Sequence, residues 1–238
     1  MPASARLAGF LSVLQLSDSA FPAGRYTLSH GLEAFAQSDL LGAPCPPDTL
    51  AQLLGDCVRF AVAPSDGIAL ACAHRAVAVD GAVDVELVVR ADRRLGAVKL
   101  AREAREASTR SGRALLAAAP AVAGVTASGY GELIDRGHVP GNHAIVLGLL
   151  DGLLGVPRLE AVAAELYAFC AGWVAAAVRL GLTDHLTAQW LLLRVRPVLA
   201  AAADRAAVGD VDLISACAPL VDVMSMRHEV AGLRLFAS

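Results

Sequence analysis

Apolar residues in this chain return every three or four positions, segment after segment, and that spacing commits it to helices. Leu7, Phe10, Leu11 and Leu14 lie on one face of a first helix. Leu28, Leu32 and Phe35 mark a second, starting near Thr27, and Leu50, Leu53, Leu54, Cys57 and Ala61 a third, with Asp48 as its N-cap. Pro64-Ser65-Asp66-Gly67 restarts the chain into a helix lined by Ile68, Cys72 and Val79, which Asp80-Gly81 ends. Val83 to Val89 alternates as a strand would, but a lone strand among helices has nothing to pair with. It reads as the lead-in to one long charged helix over residues 92–118, with Leu95, Val98, Ala101, Ala104, Ser108, Ser111 and Leu115 inward.

Beyond Ala119-Pro120 the stretch 122–142, rich in glycine, reads as irregular. His143 to Leu154 is a helix with Gly148 and Gly152 spaced for close contact, and Leu159, Val162, Leu166, Phe169, Trp173 and Ala177 mark the most buried one. Thr183-Asp184 caps a helix through Leu186, Trp190 and Leu193 that continues beyond Pro197 to Val208. The expectation is an all-α, single-domain helical bundle over residues 1–238, with roughly eight to ten helices.

Composition narrows the function. Of 238 residues, 56% are hydrophobic and 18% charged, against about 45–50% and a quarter in ordinary globular chains. Either the interior is unusually rich in alanine, or apolar surface awaits a partner. A net charge of −3 leaves no basic footprint for nucleic acid. Five cysteines without C-x-x-C spacing suggest neither a disulfide framework nor a zinc site, and read as buried free thiols in a reducing compartment. Arg6 is the only early positive charge, so a secretory signal is not expected. The uncharged run Leu166 to Val178 is too short for a bilayer core. A cytoplasmic protein without membrane contact is expected.

Chemistry concentrates in residues 14–33, Leu-Gln-Leu-Ser-Asp-Ser-Ala-Phe-Pro-Ala-Gly-Arg-Tyr-Thr-Leu-Ser-His-Gly-Leu-Glu. This segment holds more polar residues than a helix connection requires. Ser17, Asp18 and Ser19 suit backbone N–H groups where one helix ends, and Pro22 and Gly24 set a turn. A hydrolase reading pairs Ser17, Ser19 or Ser29 with His30 and Asp18, yet there is no G-x-S-x-G elbow. The six histidines include no metal-ligand spacing, and His228-Glu229 lacks the second histidine of a zincin. Lys99, the only lysine, stands in no phosphate-binding loop. No catalytic residue, metal ligand or cofactor is assigned.

The same segment resembles the N-terminal signature of the urease accessory protein F (UreF) family, through Leu14-Gln15-Leu16, Ser17, Asp18, Pro22, Gly24, Tyr26, Ser29, Gly31-Leu32 and Glu33. At the other end, Pro219-Leu220, His228-Glu229 and Arg234-Leu235-Phe236-Ala237-Ser238 resemble the family's closing segment. Between them, Asp92, Arg94, Glu103, Arg105, Ser108, Gly112 and Leu115, then His143-x-x-Val146-x-Gly148 and Ala175 to Leu180, are similar too. Asp184-His185 departs from the Gly-Gln or Gly-His of many members, and suits an N-cap instead.

The resemblance implies a non-enzymatic maturation chaperone that helps load nickel and CO₂-derived carbamate into apo-urease, in a complex with the accessory protein UreD (or UreH) and the GTPase UreG. A homodimer is also implied. Residues 1–26 and 219–238 are then the docking elements, with Ser17, Asp18, Pro22, Gly24, Tyr26, Ser29, His30, Glu33, His228, Glu229, Arg234, Leu235, Phe236 and Ser238 as candidate partner-binding residues. Leu235-Phe236 is expected to be solvent-exposed until a partner covers it. Two rivals stay open: a helical small-molecule-binding regulator with Trp173 and Trp190 lining a pocket, and the Ser29/His30 hydrolase.

Overall fold

The computed structural model describes residues 3–38, 40–232 and 234–237, so Ser238 lies outside the described residues. The chain forms α1 (Ala3–Ser17), α2 (Leu32–Gln37), α3 (Pro47–Asp56), α4 (Ile68–Arg75), α5 (Val85–Val98), α6 (Arg102–Ala123), α7 (Ser128–Asp135), α8 (His143–Leu153), α9 (Arg158–Arg179), α10 (His185–Val208) and α11 (Pro219–Glu229). Among the described residues there is no strand beyond one isolated bridge, Val77 to Val83, and the protein is a single all-α domain.

The order follows from α8. Its sequence His-Ala-Ile-Val-Leu-Gly-Leu-Leu-Asp-Gly-Leu is apolar on nearly every side, and such a helix must be surrounded. The side chains of Ala144 to Leu147, Leu149 and Leu150 are entirely buried. α4, α6 and α9 pack around it, and α10 runs along α9 and reaches α3. Gly148 sets the closest approach: a Cβ there would stand 2.4 Å from the Leu70 carbonyl oxygen of α4. The close spacing expected of Gly148 is therefore real, and it is backbone that comes close.

Several expected boundaries moved, each for a local reason. Pro64 does not restart the chain. Residues Cys57–Gly67 form a π-helical segment that joins α3 to α4 without a break. An interior proline removes one i→i−4 bond and clashes with the preceding turn, and the wider π spacing accommodates it. The expected second helix begins at Leu32 rather than Thr27, because His30 and Gly31 both take positive φ (53° and 80°) after a short 3₁₀ turn at Arg25–Thr27. The long charged helix is two helices. Asp84 caps α5 by accepting from Leu87 N–H (3.0 Å), and the break at residues 99–101 is made tolerable from both sides. Arg105 donates to the carbonyls of Lys99 and Leu100 (2.7 and 2.6 Å), while Glu229 accepts from the Arg102 and Glu103 amides (2.6 and 3.3 Å).

The region taken as irregular contains α7, anchored by Tyr130, whose hydroxyl donates to the wholly buried Asp92 (2.8 Å). Val79 is fully exposed beyond the end of α4, and Leu186 and Leu193 face outward while Ala188, Leu191, Leu192 and Val195 face the core. On α1 the expected inner stripe is the outer one: Leu7, Leu11 and Leu14 are more than half exposed, and Val13 and Leu16 are buried. α9 is long and apolar enough to cross a membrane, but over half of that apolar window is buried inside the protein. Asp184 does cap α10, accepting from the Leu186 and Thr187 amides (2.8 and 2.9 Å), and the Thr187 bonds lead in holding its carboxyl below the usual range.

Gly148→Ala should destabilise the protein by about 1–3 kcal/mol through forced separation of α4 and α8, whereas Gly129→Ala, which meets nothing within 4 Å, should leave the urea midpoint unchanged or raise it slightly. Equal midpoints for the two variants would contradict the close-contact account.

Candidate functional site

The two ends of the chain meet, and Glu33 is where they join. It sits in the first turn of α2, wholly buried. Its two oxygens accept four N–H groups: Leu235 N (2.7 Å) and Gln37 Nε2 (3.1 Å) on Oε1, Phe236 N (3.0 Å) and the His228 ring (2.9 Å) on Oε2. A carboxylate has about four lone-pair sites, so this one is saturated. The other ring nitrogen of His228 faces Glu103 Oε2 at 2.6 Å, and Arg234 donates to Glu103 Oε1 at 2.6 Å. Carboxylate oxygens thus face the ring of His228 from both sides.

Further contacts seal the junction. Ala237 N donates to Thr27 O (2.9 Å). The Arg179 guanidinium lies 4.5 Å from the rings of both Tyr26 and Phe236, and donates to Tyr26 O (2.9 Å). Gly31 lets α11 come this close: a Cβ there would meet Ser225 Oγ at 2.7 Å, at a φ that disfavours side chains.

The expectation of an exposed Leu235-Phe236 pair is half corrected. Phe236 is buried under Arg179, while Leu235 is 71% exposed. Of the candidate residues, Tyr26, Glu33, His228, Glu229, Arg234, Leu235 and Phe236 come together. Within that group Glu33 and His228 are interior, and Tyr26, Arg234 and Leu235 are at the surface. Ser17 and Asp18 lie elsewhere, at the edge of an open apolar groove of about 1050 Å³ between α1 and α9, lined also by Leu7, Phe10, Leu14 and Tyr167. Pro22 and Gly24 are exposed on the loop. Ser29 is fully buried, so the Ser29/His30 pair presents no accessible hydroxyl, and Asp18 accepts from the Ala20 amide (2.8 Å). Neither Trp173 nor Trp190 lines the described cavities.

Glu103 and Arg179 matter here, and sequence reasoning placed neither in the site. Their partners are 125 and 57 or more positions away, beyond any local spacing rule. Arg25 was also missed. It turns inward to a bidentate pair with Glu165 (2.7 and 3.0 Å) and donates to His143 Nε2 (3.0 Å). Burial raises the Glu165 carboxyl even against Arg25, and holds His143 well below the usual imidazole range, with Arg25 adding to the effect. Among the described residues no group of three or more His, Cys, Asp or Glu side chains could hold a metal ion. At His228 the two carboxylates flank opposite sides of the ring and do not converge.

A match to the UreF family model covers residues 45–196. The chain belongs to the UreF family. The urease accessory protein UreF of Trichodesmium erythraeum is 32% identical over 232 residues, 96% of each chain. UreF 2 of Brucella canis is 30% identical over 97% of this chain and 92% of its own, and the Yersinia enterocolitica protein 29% over 96% and 97%. The family match includes α8, α9 and the first half of α10, while both signature ends fall outside it and reach the relatives through the near full-length alignments.

Two outcomes test the site. Glu33→Ala leaves the buried Phe236 amide and His228 Nε2 without this acceptor, releases Leu235 N and Gln37 Nε2 as well, and should cost about 3–5 kcal/mol, with residues 234–237 becoming open to carboxypeptidase in the native protein; an unaltered urea midpoint would contradict the junction. Asp151, in α8, is wholly buried with both oxygens unpaired, and burial, with Glu165 adding, pushes it up from 3.8 to about 8. A raised folded value means its contribution to stability is full below about pH 4 and is lost as pH rises to 8. Asp151→Asn mimics the protonated acid, so its advantage should be nil near pH 4 and reach a few kcal/mol at pH 7–8. A pH-independent difference would show that Asp151 stays ionised in the fold.

Proposed function

We propose that this UreF-family protein is a non-enzymatic urease maturation factor working in the cytoplasm. It joins UreD (or UreH) and the GTPase UreG and supports GTP-dependent nickel insertion into apo-urease. The observation that carries this reading is the joining of the two family signatures into one rigid surface. Glu33 fixes the tail, and the junction offers Arg234 and Leu235 of the tail and Tyr26 of the N-terminal loop outward. Next to it α11 exposes Leu220, Val223 and Met226, with Val230 just past its end. Apolar side chains held in place by a buried network suit a docking face, because little ordering cost remains on binding. The complete burial of Ser29 supports the non-enzymatic reading.

The implied homodimer has a separate surface to use. The exposed Leu7, Leu11 and Leu14 on α1 form a stripe that a two-fold copy could cover with its own, which sedimentation at twice the 24.5 kDa chain mass would support.

Leu235→Asp should fold normally, since Leu235 is largely exposed. Co-expressed with apo-urease, UreD and UreG, it should lose at least tenfold in UreD co-purification and in recovered urease activity. Undiminished co-purification and activity would remove the tail from the docking face. Failure of the unaltered chain to associate with any of them would remove the maturation reading itself.

A further inference from the structure

The bundle leaves the groove between α1 and α9 uncovered. Its floor is made of small side chains: Ala164, Ala168 and Ala171, four and three positions apart, share one face of α9. Leu7, Phe10 and Leu14 of α1 form a wall, each about half exposed, and Leu199 of α10 also lines it. Leu7 to Ser17 covers about 15 Å of helix axis, nearly three turns. At about 1050 Å³ the space is at the upper limit of the roughly 300–1,000 Å³ of small-molecule pockets, and unlike most of those it lies open.

One end of the groove is polar, where α1 stops and Ser17, Asp18 and Ser19 line it. Ser17 is only 8% exposed, and its hydroxyl has no hydrogen-bond partner among the described residues. A buried polar group in that state is costly until something supplies the missing bond. Asp18 is exposed, and its carboxylate takes the Ala20 amide on Oδ1 alone. The C-terminus of α1 adds partial negative charge at the same end. Glu160, the other ionisable residue of the described lining, is acidic too and is already engaged. Among the described lining residues there is no cation.

We propose that this groove seats an amphipathic helix of a partner protein, which lays leucine-type side chains on the alanine floor and sets a lysine or arginine beside Asp18. Shape selects the helix. Small residues at three- and four-residue spacing let a second backbone come close, and helices bound in grooves present their anchors at that same repeat. Charge selects the basic residue. An acidic helix would bring like charge to Asp18 and to the end of α1, with no described cation to receive it. The Ser17 hydroxyl gains its missing partner from the same incoming polar group. Leu7 and Leu14 are also the residues a two-fold copy would cover, so the two readings compete for one surface and the test separates them. The inference does not depend on the urease reading.

The test uses the purified full chain at about 0.15 M salt and labelled peptides about fifteen residues long, enough to hold a helix. One is a Leu/Ala amphipathic helix with lysines on its polar face, one carries glutamates there instead, and one scrambles the lysine peptide to destroy its apolar face. Binding is read by fluorescence anisotropy and amide NMR shifts. The lysine peptide should saturate at one per chain, at least tenfold tighter than the other two, with shifts at residues 7, 14, 164 and 168. Ala164→Phe, which fills the open floor, should weaken it at least tenfold with the urea midpoint unchanged. Asp18→Asn, which keeps an acceptor for the Ala20 amide, should cut the preference for lysine over glutamate at least threefold. Equal binding of the lysine and glutamate peptides, or undiminished binding by Ala164→Phe, would overturn the inference. So would a lack of saturable peptide binding. Sedimentation at twice the 24.5 kDa chain mass would then give the groove to a second copy, and saturation of the same amides by octyl glucoside would give it to a small amphiphile.

Discussion

A buried carboxylate with every lone pair occupied organises this protein. Glu33 is charged chemistry in an apolar interior, a placement that is costly unless each acceptor site is filled. Two of its four donors are the backbone amides of Leu235 and Phe236, so the Glu33 carboxylate is satisfied only when the closing segment is docked on it. A second helix start depends on the same segment, since Glu229 supplies the acceptor for the first amides of α6. The helical bundle and the junction surface are therefore one construction: what closes the interior also holds Leu235 and Tyr26 at the surface.

The architecture separates two tasks. α8, apolar on all sides, fixes the centre, and glycine brings α4 against it at backbone distance. Around the N-terminal loop the protein instead concentrates ion pairs: Arg25 with Glu165, Lys99 with Asp66, Arg234 and His228 with Glu103. Such pairs contribute little net stability compared with apolar packing of equal volume, but they fix geometry, because misplacing one partner strands the other. Around this loop the exposed Tyr26 and Arg234 are therefore held in a defined arrangement.

Much of the helical layout was legible in the spacing of leucine and alanine, and helix caps such as Asp184 could be read directly. Periodicity identifies a face without saying what covers it. On α1, Leu7, Leu11 and Leu14 carry the right spacing and point outward, because an apolar helix with two apolar faces leaves the choice to its neighbours. Pro64 was read as a break because α-helical geometry excludes it, and the π-helical path around it depends on the fold as a whole. The signature residues at the two ends could be picked out one by one, but their junction could not. Glu33, Glu103 and His228 are far apart in the chain, and no local rule pairs them.

The most direct measurement is hydrogen exchange of the full chain alone and after mixing with UreD and UreG, the partners proposed for it. The account predicts slow exchange of the Leu235 and Phe236 amides in the isolated protein, because Glu33 holds them, and added protection on binding at residues 25–28 and 219–237. Fast exchange of those two amides in the free chain, or binding protection confined to other faces, would contradict it.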